Sequence, residues 1–147
     1  MTLLLQYTLL YASVLILVAL GGCFSERSGV INLGLEGIMV MGALGGALTM
    51  KYMAELPGLV IVLTTILISA LFGLIYSLLL AVACINFKAD QTIVGTALNL
   101  LGTALATVIV KAVNTAANPD DVSSNVQYIA AKKSLIVNIG GFEFNWF

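Results

Sequence analysis

Four apolar runs dominate the chain, each set off by a short break that carries polar residues or glycine. Residues 3–22, 30–50, 59–85 and 92–110 are each long enough to cross a bilayer, whose hydrocarbon core of about 30 Å takes about 20 helical residues. Besides its tyrosines, the first run is interrupted by polar groups only at Gln6, Thr8 and Ser13, and the third carries no charge. The connectors 23–29, 51–58 and 86–91 are short, so consecutive helices run antiparallel and lie side by side. Pro57 and Gly58 punctuate the second connector, where a helix can restart at a proline. The pattern predicts an all-α, polytopic transmembrane helical bundle of about four spanning helices over residues 1–111. A polar extramembrane segment, 112–147, follows and leads toward a further span. It holds the turn signal Asn118-Pro119-Asp120-Asp121, then Lys132 and Lys133. It closes on Phe142-Glu143-Phe144-Asn145-Trp146-Phe147, an aromatic cluster suited to an interfacial anchor.

Finer patterning distinguishes the runs. The third places Thr65, Ser69, Gly73, Ser77 and Ala81 at four-residue spacing. That spacing predicts one ridge of small side chains for close helix contact, the main source of attraction between helices in lipid. The fourth carries Thr92, Thr96, Asn99, Thr103 and Thr107, with Gly95, Gly102 and Ala106 beside that line. Threonines can satisfy themselves on carbonyls one turn back. The Asn99 amide cannot be fully satisfied that way, so it is expected to face another helix, as interhelical glue or as part of a polar path.

The second run is the most informative. It contains Asn32, Glu36 and five glycines, Gly34, Gly37, Gly42 and Gly46 among them, the last two forming a GxxxG pair for packing. A carboxylate at mid-span costs roughly 2.5–3.5 kcal/mol on insertion scales. Two readings of Glu36 stand side by side. In one, Ser28 or Asn32 caps a helix start and Glu36 sits favourably near the positive end of the helix dipole. In the other, Gly34 and Gly37 break the helix and the segment lines a translocation path.

Composition narrows the classes. Hydrophobic residues make up 61% of the chain and charged ones 9%, too few charges to clothe a soluble domain. Lipid is therefore the expected solvent for most of the surface. Net charge is −1 with no basic patch, which argues against nucleic acid as a partner. The chain has no histidine, the commonest general base and metal ligand; no catalytic set, metal or cofactor is expected, and an intramembrane enzyme ranks last. Cys23 and Cys84 lack a CxxC spacing and read as small packing residues. Leu20-Gly21-Gly22-Cys23 looks like a lipoprotein cleavage site, but no Lys or Arg precedes the apolar run as a secretory signal requires.

Two stretches carry a family resemblance. Ser25-Glu26-Arg27-Ser28-Gly29-Val30-Ile31-Asn32-Leu33-Gly34-Leu35-Glu36-Gly37-Ile38-Met39 resembles the signature near the start of bacterial ABC-importer permeases of the simple-sugar and nucleoside type. These belong with the branched-chain amino-acid and ribose permeases. Ala89-Asp90-Gln91-Thr92-Ile93-Val94-Gly95-Thr96-Ala97-Leu98-Asn99-Leu100-Leu101 resembles the run after that family's next long helix. The resemblance spans about residues 4–111. It implies a multi-pass permease of the bacterial cytoplasmic membrane that pairs with a second permease and with ATP-binding cassette ATPase subunits. An extracytoplasmic solute-binding lipoprotein would deliver a nucleoside or simple sugar. The matched polar positions are Asn32, Glu36, Asp90, Gln91 and Asn99, and four of these, Asn32, Glu36, Gln91 and Asn99, are the candidates for the solute path. Gly34, Gly37, Gly42, Gly46, Ser69, Gly73, Gly95 and Gly102 are the candidates for helix packing.

The family's members are longer, and their ATPase-coupling segment lies in a second half, so the chain is expected to correspond to an N-terminal half. A half-length membrane scaffold without its own path is the alternative. No GxxxxGK[ST] occurs, so ATP hydrolysis is expected on a separate subunit. The resemblance places the N-terminus and 112–147 outside, with 25–29 and 88–91 inside. Arg27 and Lys88 inside then balance Lys51 and Lys111 outside, the tail lysines lying beyond the roughly 20 residues over which the positive-inside rule acts.

Overall fold

A computed structural model of the protein describes residues 2–53, 58–126, 136–139 and 142–145. Its helices are α1 (Thr2–Arg27), α2 (Leu35–Tyr52), α3 (Gly58–Ala81) and α4 (Gln91–Ala117), and a π-helical turn, Val82–Asn86, prolongs α3. Strands β1 (Ile136–Ile139) and β2 (Phe142–Asn145) pair antiparallel, Ile136 opposite Asn145 and Ile139 opposite Phe142. Four helices are present among the described residues, as the apolar runs predict, but three rather than the expected four of them qualify as spans. Among the described residues, α1, α4 and α3 with its π-turn are long and apolar enough to cross a membrane.

The second run departs from its expected span of 30–50. Helix α2 starts at Leu35 and has 18 residues, with Glu36 in its first turn and Lys51 in its last. It rises about 27 Å. Residues 28–34 are not helical. Gly29 takes φ +82°, the left-handed region that glycine enters without a steric penalty, and the Asn32 side chain accepts from the Gly34 amide at 3.0 Å, a local turn that competes with helix. Short as it is, α2 is the helix with most enclosure: Gly37, Gly42, Leu44, Gly45, Gly46 and Thr49 are buried.

Helix α1 continues past Gly22 to Arg27 and turns its leucines outward, none of the span Tyr7–Arg27 being buried within the chain. Thr8 and Ser13 donate to the Leu4 and Leu10 carbonyls of their own helix, which removes their need for outside partners. Helices α2 and α3 pack through their small residues. The Ser69 hydroxyl donates to the Gly42 carbonyl at 2.7 Å. A Cβ built on Gly46 would lie 3.4 Å from Thr65 Cγ2, and one on Gly45 2.8 Å from Phe72 Cγ. Ser77 and Ala81, the last two positions of the small-residue ridge on α3, are only half-buried. Four residues advance a 3.6-residue helix by roughly 40° beyond a full turn, so the line drifts off the interface. Past Gly73 the buried contacts are Tyr76 and Leu80 instead, 4% and 6% exposed, and Ser77 bonds to its own helix at the Leu74 carbonyl.

Helix α4 begins on Asp90, whose carboxylate accepts from the Thr92 and Ile93 amides. These backbone hydrogen bonds hold its carboxyl below the ordinary 3.8. The preceding turn is closed by Lys88 at φ +52°. The helix runs beyond the expected 110 to Ala117, because 112–117 contain no breaker; it stops at Asn118, which precedes Pro119 and is extended, as a residue before proline prefers. Its buried side is Gly95, Leu98, Gly102, Val110 and Asn114. In the tail, the segment expected to be an aromatic anchor forms β2 over Phe142–Asn145. Ile, Val and Phe favour a pleated strand. Pro57, Lys132, Lys133, Trp146 and Phe147 lie outside the described residues.

Candidate functional site at the crossing of α2 and α4

Non-helical backbone within a membrane protein needs every N–H and C=O satisfied from inside, and the segment 30–37 obtains its partners largely from side chains. Ser25 Oγ donates to the Val30 carbonyl at 2.8 Å. Gln91, the first residue of α4, accepts the Ile31 amide through Oε1 at 3.0 Å. Asn99, two turns further along α4, does more. Its Oδ1 accepts the Gly37 amide at 2.7 Å, and its Nδ2 donates to the Leu33 carbonyl at 2.7 Å. The helix start has Gly34 at the cap position with no side-chain cap of its own, so Asn99 serves as the cap from another helix. Neither Ser28 nor Asn32 fills that place: Ser28 bonds to Ser25, and Asn32 to Gly34.

Glycines allow the approach. A Cβ on Gly37 would lie 2.7 Å from the Leu98 carbonyl oxygen, one on Gly95 2.9 Å from Leu33 Cβ, and one on Gly102 2.9 Å from Gly37 Cα. A Cβ on Gly34 would be 3.7 Å from Gly95 Cα. Gly34, Gly37, Gly95 and Gly102 thus meet in one backbone-to-backbone crossing, while Gly42, Gly46, Ser69 and Gly73 serve the separate α2–α3 contact. Tyr76 on α3 braces the crossing, donating to the Leu98 carbonyl at 2.6 Å.

The polar positions singled out in the sequence are therefore gathered, but not alike. Asn32, Gln91 and Asn99 are half-buried and bonded to backbone around the start of α2. Glu36 is exposed on the first turn of α2, where the free amides of the helix end favour a negative charge.

A second polar cluster lies at the other end of α2 and was not anticipated. Asn114 is 3% exposed. Its Oδ1 accepts from Lys51 Nζ at 3.1 Å, and its Nδ2 is 2.8 Å from the Asn125 carbonyl and 3.1 Å from that of Ser123. Asp121 beside it accepts from Ser123. Hydrogen bonds from Ser123, with Lys51 nearby, hold its carboxyl below the ordinary value. The signal was present in the sequence: Gly102, Ala106, Val110 and Asn114 continue one line at four-residue spacing, hidden by the choice of Lys111 as a boundary.

Known proteins match the chain across this region. It is 43% identical over 115 residues to the guanosine ABC transporter permease protein NupQ of Bacillus subtilis, covering 78% of this chain and 36% of that one. It is 41% identical over 103 residues to the nucleoside ABC transporter permease protein NupC of Lactococcus lactis, covering 70% of this chain and 32% of the relative. A putative glucose ABC transporter permease protein of Haloferax volcanii is 40% identical over 108 residues, 71% of this chain and 30% of its own length. The chain thus spans about a third of the length of these curated relatives. No solved structure matches it significantly. The family model described as branched-chain amino acid transport system / permease component matches residues 4–145. With that match across nearly the whole sequence, and both polar motifs meeting at one helix crossing, the chain belongs to the branched-chain amino acid transport system permease component family.

Proposed function

We propose that this chain contributes to the solute path of an ATP-driven importer for nucleosides, and that the path works by alternating access. The observation that carries the reading is its 43% identity to a guanosine permease over 78% of the chain. The α2–α4 crossing supports it. Irregular backbone at membrane depth is tolerated where it is buried in protein or lines a cavity, and interrupted helices of this kind form binding sites in many transporters. Glu36, Asn32 and Asn99 give that turn acceptors and donors suited to hydroxyl groups and to the edge of a base. ATP is hydrolysed on separate cassette ATPase subunits. A second permease completes the pathway, and an extracytoplasmic binding lipoprotein delivers solute to the bacterial cytoplasmic membrane. A simple sugar is the second reading, favoured by the match to a putative glucose permease.

Uptake of radiolabelled guanosine in cells producing the protein with its ATPase and binding-protein partners tests this. Saturable uptake is expected, abolished by ATP depletion and competed by other nucleosides but not by glucose. Competition by glucose alone moves the solute to the sugar class. No uptake of either refutes the reading.

A further inference from the structure

Asn99 does more than cap α2. The first backbone bond of that helix runs from the Ile38 amide to the Gly34 carbonyl at 3.1 Å. In a helix continuing toward the N-terminus, the next bond would join the Gly37 amide to the Leu33 carbonyl, four residues back. Those are the same two groups that Asn99 holds, each at 2.7 Å. A side-chain amide offers a carbonyl acceptor and an N–H donor like those of a peptide, so Asn99 occupies the place where the helical bond would close. The backbone between is nearly helical already. Gly34 has φ −83° and ψ 7°, and a rotation of roughly 50° about ψ brings it to ordinary α-helix values.

We propose that Asn99 is a wedge holding the Leu33–Gly37 helical bond open, and that the first turn of α2 is a two-state element set by the approach of α4. With α4 seated, the turn is unwound. When α4 withdraws, the Gly37 amide and Leu33 carbonyl pair with each other and the helix winds back toward Asn32. Separation of polar groups in lipid is ordinarily costly because both sides are left unpaired. Here the α2 side pairs with itself, and only the Asn99 amide loses partners. Winding also draws Ile31 from Gln91, since that bond depends on the extended form of the connector. That winding is a step of transport rests on the permease reading above; the winding itself is visible without any solute.

The test is NMR of the full chain in lipid nanodiscs, with Leu33, Gly34 and Gly37 isotopically labelled. In the unsubstituted protein the wound form is expected as a minor state of at most about 10%. Asn99→Leu should make it the majority, moving the Leu33 and Gly34 carbon shifts to helical values, while Gln91→Ala, which removes only the Ile31 bond, should move them in the same direction by less. Gly102→Val keeps Asn99 but drives α4 away, a Cβ there meeting Gly37 Cα at 2.9 Å, and should wind the turn as well. Non-helical shifts in a folded Asn99→Leu protein overturn the proposal. Should that variant fail to insert, Asn99→Asp decides, because it keeps the shape and the acceptor but cannot donate to Leu33. An unchanged wound fraction there sinks the wedge, and an increase supports it. A lack of guanosine uptake by the wild type would count against the permease reading alone.

Discussion

Gly37→Ala gives the sharpest energetic test of the crossing, with Gly73→Ala as its internal comparison. The added methyl at position 37 would sit 2.7 Å from the Leu98 carbonyl oxygen and 3.1 Å from Asn99 Cα, both backbone atoms. Relief to an ordinary contact of about 3.5 Å requires α2 and α4 to part by roughly 0.8 Å. The two Asn99 bonds, 2.7 Å each, would then stretch beyond the usual range of about 2.7–3.2 Å. Overpacking costs about 1–3 kcal/mol, and an amide deprived of its partners about another 1–3 kcal/mol. Alanine returns up to about 1 kcal/mol as a better helix former, which leaves a net loss of about 1–6 kcal/mol. At Gly73 the methyl would meet Ile38 Cγ2 at 3.6 Å, an ordinary contact, so Gly73→Ala should be neutral or stabilising by up to about 1 kcal/mol. The variants should therefore differ by at least about 1 kcal/mol. Reversible unfolding in mixed micelles, followed by helical circular dichroism, measures the gap. Equal stabilities would mean that α2 and α4 do not meet through Gly37, and the geometry of the site would fall with it.

Asn114→Ala should loosen the far end of α2 and α4, costing about 1–3 kcal/mol for the buried polar groups it orphans, and amide exchange across 118–126 should quicken while that of 35–45 does not. For Asp90, a carboxyl lowered by bonds from the α4 amides stabilises the fold above its unfolded value, and that contribution fades as pH falls through the lower folded value. Asp90→Asn, which can still cap, should therefore flatten the loss of thermal stability below the ordinary 3.8; an identical acid profile would exclude a capping carboxylate.

The helices were legible in the sequence because an apolar run of spanning length permits little else. The start of α2 was not. Caps are sought within a few residues, so Ser28 and Asn32 were the natural choices, but the partner that closes this start is Asn99, 62 residues from Gly37. Its identity as an interhelical residue could be read from the cost of an amide in lipid, whereas the backbone groups it serves required the fold. The ridge on α3 shows a similar limit: four-residue spacing places neighbours together, but the contact follows the helix period and passes to Tyr76 and Leu80. Asn114 was hidden for a different reason, since Lys111 suggested a boundary that the breaker-free residues up to Ala117 override.

The central claim is that the polar turn at the α2–α4 crossing serves a solute path, and Glu36 tests it most directly because its exposed carboxylate holds no hydrogen bond of the site described above. Initial guanosine uptake should be measured for Glu36→Ala beside wild type, at matched amounts of inserted protein. Uptake should be at least about tenfold lower, a loss of about 1.4 kcal/mol of interaction, with thermal stability lowered by no more than the roughly 1 kcal/mol that a charge at a helix end contributes. Uptake equal to wild type would contradict that claim and leave the crossing a packing feature alone.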